Sequence, residues 1–138
     1  MIAPKSTIVL IAVLSSSFLS ADMTPSPEGA WVYIVSPADG DTVQSTFTIQ
    51  FGLKGMGVSP AGIDVPNTGH HHLLIDASKL PPLNEPMGDA VRHFGGGQTE
   101  VEISLAPGRH ALQLILGDKL HIPHSPPVVS DKIFVTVK

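Results

Sequence analysis

The chain contains no cysteine, and charged residues make up only 14% of its 138 residues. Without thiols, disulfide bonds, zinc fingers, iron–sulfur clusters and blue-copper thiolate sites are excluded. The formal net charge of -4 gives no electrostatic basis for binding nucleic acid or an anionic membrane surface. The chain does contain 42% hydrophobic residues, 13 glycines, 13 prolines and seven histidines. This hydrophobic content and this length predict one domain with a packed core.

The first residues have the order of a secretory signal peptide. Lys5 precedes a short apolar run, IVLIAVL at residues 8–14, and small residues follow it. Because that run is too short to span a bilayer, we expect a signal peptide over residues 1–21, a flexible linker over residues 22–29 and a single β-sandwich domain over residues 30–138. The expected location is periplasmic or secreted, without stable membrane insertion of the mature domain. The alternative is an uncleaved N-terminal anchor.

The rest of the chain has the periodicity of β-strands. In Thr46–Leu53, apolar and polar residues alternate, as they do on a strand with one buried face. Strands are predicted over residues 31–35, 46–53, 70–76, 99–105, 110–116 and 131–137. Turns rich in glycine and proline separate them. The predicted fold is all-β, an immunoglobulin-like or cupredoxin-like β-sandwich of about six to seven strands, and periodicity does not choose between these two topologies.

Three histidines begin one of the predicted strands. Alternation places His70 and His72 on one face of the strand and His71 on the other. Residues two apart on a strand are separated by about 6.5 to 7 Å. Since a metal–nitrogen bond is about 2.0 to 2.1 Å long, two imidazoles at this spacing can converge on one ion.

Further ligands are expected from the loops. His121 and His124 are separated by two residues, which is a common chelate spacing, and His93 precedes a glycine run. Met56 lies between two glycines, and a thioether beside imidazoles favours copper over zinc. His110, at the start of a strand, is interpreted as structural.

The sequence therefore predicts a metal centre. The expected ligands are His70, His72, His93 and His124, followed by His121 and Met56. Copper is the expected metal, zinc the second choice, and affinity should fall below about pH 6.5, where protons compete for neutral imidazoles. No nucleophile motif or catalytic triad is present, so we expect a non-enzymatic role in metal delivery, storage or buffering, with a metal ion and another envelope protein as partners. The alternative is a non-catalytic immunoglobulin-like interaction module of the cell envelope, in which the histidines are structural.

Three segments of the chain resemble the bacterial domain-of-unknown-function family 4399. They are NTGHHHLLID at residues 67–76, HFGGGQTE at 93–100, and LQL at 112–114 continuing to HIPH at 121–124. The resemblance covers residues 52–137 and implies a short exported protein, without implying an activity. It also implies that the histidine segments form one pattern, consisting of His70, His71, His72, His93, His121 and His124 together with Gln98 and Thr99.

Overall fold

The computed structural model describes residues 23–138, so the predicted signal peptide lies outside the described residues. In this part of the chain there is no helix with the length and apolar character needed to cross a membrane. The structure over residues 23–138 is built from strands, turns and loops, which confirms the predicted all-β class.

All six predicted strands are present, with ends within two residues of the predicted ones, and three two-residue strands add to them. The strands are β1 (Trp31–Ser36), β2 (Thr42–Val43), β3 (Thr46–Lys54), β4 (Gly57–Val58), β5 (Thr68–Ile75), β6 (Arg92–His93), β7 (Glu100–Ser104), β8 (Gly108–Gly117) and β9 (Ile133–Val137). The short strands β2, β4 and β6 exist through pairing with distant strands, which no local sequence pattern reports.

The strands form two sheets. A three-stranded sheet has the order β1-β3-β7, and a six-stranded sheet has the order β2-β9-β8-β5-β4, with β6 also paired to β5. The long strands β5 and β8 are antiparallel neighbours at the centre of the larger sheet, where His70 pairs with Gly117 and His72 with Ile115. This two-sheet arrangement is consistent with the predicted β-sandwich.

Apolar side chains cover both faces of β5. Its inner face, represented by Leu73, belongs to the main core, which also contains Ile49 and Leu112. Its outer face, represented by Leu74, packs in a smaller cluster with Met87, Val91 and Ile115. Met87 and Val91 come from the segment before β6, whose three prolines predict irregular structure. That segment therefore covers part of the outer face of β5.

The described part of the predicted linker lies against the domain. The Ser125 N–H donates to the Thr24 carbonyl at 2.9 Å, and the Ser26 N–H donates to the Ser125 carbonyl at 3.2 Å. Pro25 and Ser125 form an isolated parallel β-bridge. Residues 24–26 are therefore hydrogen-bonded to the loop that follows β8, and we call them the N-terminal strap.

Candidate metal centre

Strand alternation separates the three consecutive histidines. His70 and His72 project from the outer face of β5, and their ring centroids are 4.5 Å apart. His71 projects from the inner face, where its ring packs 5.1 Å from that of Phe51. All three side chains are fully buried. The predicted face of each histidine is confirmed.

Two further imidazoles reach the outer face from other parts of the chain. β6 pairs with β5 so that His93 lies opposite His72, with ring centroids 4.7 Å apart. The loop after β8 brings in His121, whose Nδ1 lies 2.9 Å from His70 Nε2 and 3.3 Å from His72 Nε2. His93 Nδ1 lies 3.3 Å from the same His121 nitrogen. Segments distant in sequence therefore bring four imidazoles together.

The spacing of these nitrogens fits a coordination sphere. One nitrogen each from His70, His72 and His121 lies within 4.8 Å of the others, and these three residues could hold a metal ion. With metal–nitrogen bonds of about 2.0 to 2.1 Å, ligands are about 3.3 to 3.4 Å apart at tetrahedral angles and about 2.9 Å apart at right angles. The observed separations of 2.9 and 3.3 Å from His121 to the other rings match these values.

A buried carboxylate shapes the loop that carries His121. Asp118, 5% exposed, accepts hydrogen bonds at Oδ1 from the N–H groups of Leu120 at 2.9 Å and Ile122 at 3.0 Å. The His121 N–H donates to the Asp118 carbonyl at 2.9 Å, and His121 adopts a φ of 63°. This left-handed conformation is uncommon for residues other than glycine. The loop thus turns sharply around Asp118 and directs the His121 ring toward β5.

Burial keeps the two strand imidazoles neutral. Desolvation, reinforced by the neighbouring His121 and His93 rings, lowers the pKa of His70 from 6.5 to about 4. Desolvation, followed by the electrostatic effect of having His70, His93 and His121 as close neighbours, lowers the pKa of His72 to about 3. Since only a neutral imidazole has a lone pair to donate, both residues are in the metal-binding form at neutral pH.

The proline-rich segment contacts the ring of His93 and the backbone of His121. His93 Nε2 lies 3.2 Å from the Gly88 carbonyl, which can only accept, so Nε2 carries the proton and Nδ1 presents its lone pair toward His121. A carbonyl partner of this kind fixes the tautomer and orientation of a metal-binding histidine. The adjacent Met87 N–H donates to the His121 carbonyl at 2.9 Å and so holds the backbone of the His121 loop against this segment.

Comparison with known proteins places the chain in a family. The family model described as "Domain of unknown function (DUF4399)" matches residues 49–138, well over half of the chain. The chain belongs to this family. Searches of curated proteins and of solved structures found no match. The DUF4399 match includes all seven histidines, whereas the N-terminal strap lies outside it.

Two of the predicted ligands, His124 and Met56, lie away from the group of four imidazoles on the outer face of β5. His124 lies on the inner side of β5, because its Cε1 is 2.8 Å from the position that a Gly69 Cβ would occupy, on the face that Gly69 shares with His71. Its Nε2 donates to the Thr68 carbonyl at 3.1 Å. Met56 packs half-buried against the main core. The structure therefore gives His124 and Met56 other contacts, and the sulfur argument for copper does not apply through Met56.

The remaining residues of the DUF4399 pattern have structural contacts. Gln98 Oε1 accepts a hydrogen bond from the Gly96 N–H at 2.9 Å inside the glycine turn, and the Thr99 carbonyl accepts one from Phe51. His110, interpreted as structural from the sequence, lies 2.7 Å from both Asp76 Oδ2 and the Ala106 carbonyl. The hydrogen bond to Asp76 raises the pKa of His110.

Three residues outside the predicted ligand set shape the candidate centre. Asp118, directly after β8, caps the turn that carries His121 through hydrogen bonds from the N–H groups of Leu120 and Ile122. Gly117 leaves the space that the His72 ring occupies, because an ideal Cβ there would overlap that ring and lie 2.9 Å from Met87 Cε. Met87 is buried against the outer face. The sequence signal for the contact at Gly117 is a glycine at the end of an apolar strand.

Proposed function

We propose that this protein is an exported copper-binding protein that delivers, stores or buffers the ion without turning over a substrate, with zinc as the second choice of metal. One observation carries the proposal: ring nitrogens of His70, His72 and His121 lie within 4.8 Å of one another. His93 Nδ1 lies 3.3 Å from His121 Nδ1 and supplies a fourth, exposed ligand.

A cation accounts for this arrangement better than hydrogen bonding does. His121 Nδ1 has three imidazole nitrogens at 2.9 to 3.3 Å. A neutral imidazole nitrogen offers one proton or one lone pair, so it cannot satisfy three such neighbours at once. Burial disfavours the extra protons that His70 or His72 would otherwise supply. A metal ion takes one lone pair from each ring and removes the conflict.

Copper is preferred because of the chemistry of the donors. The four rings supply imidazole nitrogen, and the chain has no thiolate to offer. For nitrogen ligands, affinity rises along the first-row divalent series to copper and falls again at zinc. Three buried or half-buried ligands and one exposed ligand also leave one side from which the ion can enter and leave, as delivery or buffering requires.

Two further observations support a non-catalytic, exported role. A cavity of about 530 Å³ lies over Leu74 and Pro81, but none of the four clustered histidines lines it. A metal-dependent enzyme needs an open coordination position beside its substrate pocket. The N-terminal sequence, with Lys5 before an apolar run, supports export to the periplasm or beyond the cell.

The test is titration of the protein with Cu(II) and Zn(II) in competition with a chromophoric chelator. The variant His121→Asn removes one ligand while keeping a residue that tolerates a positive φ. His93→Gln removes the exposed ligand, and His110→Asn removes a histidine outside the group. We expect His121→Asn to weaken Cu(II) binding by more than about tenfold, or about 1.4 kcal/mol, and His110→Asn to leave it unchanged.

Equal affinity of wild type and His121→Asn for Cu(II) would contradict the proposal. So would an equal loss in His110→Asn, because that would indicate adventitious binding by any histidine. Either result would favour the alternative, an interaction module with structural histidines.

A further inference from the structure

The N-terminal strap contacts the loop that carries His121 through a side chain. Thr24 Oγ1 donates to Asp118 Oδ2 at 2.6 Å, across 94 positions of sequence. The backbone bonds between Thr24, Ser26 and Ser125 hold the strap in place beside this contact. Ser26 Oγ separately donates to the Pro126 carbonyl at 2.6 Å. The strap therefore makes two side-chain hydrogen bonds. The one from Thr24 reaches the Asp118 carboxylate, and the one from Ser26 does not involve it.

The two oxygens of Asp118 have different partners. Oδ1 accepts from the N–H groups of Leu120 and Ile122, which flank His121. Within residues 23–138, the hydrogen bond at Oδ2 comes from Thr24. A buried carboxylate oxygen without a donor is costly, so loss of the Thr24 hydroxyl favours rotation or hydration of the carboxylate. Either change disturbs the bonds at Oδ1.

We infer that Thr24 is a positioning residue of the metal centre, which acts through Asp118 to hold the His121 ring in its binding orientation. This inference rests on the proposed metal-binding function. The path has three steps, from the Thr24 hydroxyl to Asp118 Oδ2, from Asp118 Oδ1 to the amides of Leu120 and Ile122, and from those amides to the ring between them. Thr24 itself does not touch the ion.

The residues that support the proposed metal centre extend beyond those that the family model matches. The matched residues begin at 49, yet the carboxylate that shapes the ligand loop takes a hydrogen bond from residue 24. The centre thus joins β5, β6 and the loop after β8 to the N-terminal strap. Removal or displacement of the strap should weaken metal binding without removing a ligand.

The experiment compares three variants of the full chain. Thr24→Val keeps the shape of the side chain and removes the hydroxyl, whereas Thr24→Ser keeps the hydroxyl. Ser26→Ala is the matched control, because it removes a hydrogen bond from the same strap without touching Asp118. Cu(II) affinity is measured against a chromophoric chelator. Amide hydrogen exchange at Leu120 and Ile122 is measured in the metal-free protein as a second readout.

We expect Thr24→Val to weaken Cu(II) binding about tenfold, at the lower end of the effect of losing a residue that supports a metal ligand. Exchange at Leu120 and Ile122 should become faster in that variant. Thr24→Ser and Ser26→Ala should stay within about twofold of wild type in affinity, which corresponds to about 0.4 kcal/mol. Wild-type affinity in Thr24→Val would overturn the inference, as would an equal loss in Ser26→Ala.

The result also separates this inference from the proposed function. If the wild type binds neither Cu(II) nor Zn(II), the proposed function fails, and the role assigned to Thr24 in a metal centre fails with it. If the wild type binds the ion and Thr24→Val binds it equally well, only the positioning role fails.

Discussion

Replacing His71 with leucine should stabilise the protein and reduce its sensitivity to acid. The His71 side chain is fully buried, and both of its ring nitrogens lack a hydrogen-bond partner among residues 23–138. A buried polar group without a partner costs about 1 to 3 kcal/mol. Leucine is of similar size and can fill the space beside Phe51 without that cost. We therefore expect the free energy of unfolding at pH 7 to rise by about 1 to 3 kcal/mol.

The pH dependence provides the sharper part of this prediction. Desolvation lowers the pKa of His71 from 6.5 to about 4. Between these values the unfolded chain takes up a proton that the folded chain refuses, so stability falls as pH falls. With 1.36 kcal/mol per unit, His71 costs the wild type about 2 kcal/mol between pH 7 and pH 5, and about 3 kcal/mol by pH 4. Above pH 6.5 this protonation costs the folded state nothing, and the loss of stability grows as pH falls from 6.5 to about 4.

The assay is equilibrium urea unfolding of wild type and His71→Leu at pH 7, 6 and 5, with a chelator present. The contributions of His70 and His72 occur in both proteins and largely cancel in the difference. We expect the stability advantage of the variant to widen by about 2 kcal/mol from pH 7 to pH 5. Parallel stability curves over this range would refute the reasoning, because they would mean that His71 has the same pKa in the folded and unfolded states.

Two other predictions concern the metal centre directly. Gly117→Ala should lower stability by about 1 to 3 kcal/mol and weaken Cu(II) binding, because the new methyl group would overlap the His72 ring. Gly57→Ala is the control, because its Cβ would lie at an ordinary van der Waals distance of 3.4 Å from Thr68 Cγ2 and its φ is not positive. Unfolding and chelator competition measure both effects. The affinity contributed by His70 and His72 should persist from pH 7 to pH 5 and disappear only as pH falls through about 4 and 3, below the limit near 6.5 expected from sequence. A loss of Cu(II) affinity of about a hundredfold or more per pH unit between pH 6.5 and 5 in the His93→Gln variant, while circular dichroism shows a folded chain, would contradict this second prediction, because competition by a single proton gives no more than about tenfold per unit and the excess would require His70 or His72 to take up protons in this range.

The strands were predictable because their signal is local. Apolar residues alternate with polar ones in segments such as Thr46–Leu53, and alternate side chains of a strand must point to opposite faces. The same rule assigned His70 and His72 to one face and His71 to the other, which the structure confirms. By contrast, the pairing of β6 with β5 depends on contacts across 20 residues. It could not be read from the two residues of β6.

The loop ligands were only partly predictable because the spacing of two histidines does not fix the backbone conformation of the loop that carries them. The spacing of His121 and His124 suggested that both would bind one ion. In the structure, His121 has a positive φ and turns around Asp118, while Pro123 forms a β-bridge with Gly117. With this backbone conformation, the rings of His121 and His124 lie on opposite sides of β5. Sequence spacing therefore indicated the loop that contributes to the histidine group, but it did not indicate which of its two histidines lies in that group.

Glycines determine how β5 accommodates so many imidazoles. On the outer face, the absence of a side chain at Gly117 leaves room for the His72 ring. On the inner face, an ideal Cβ at Gly69 would lie 2.8 Å from His124 Cε1, so the absence of that side chain leaves room for the other loop histidine. A histidine run on a central strand needs such space across its neighbours, since interiors are close-packed. The space left at Gly117 and Gly69 therefore helps to decide which imidazoles can lie together on each face of β5.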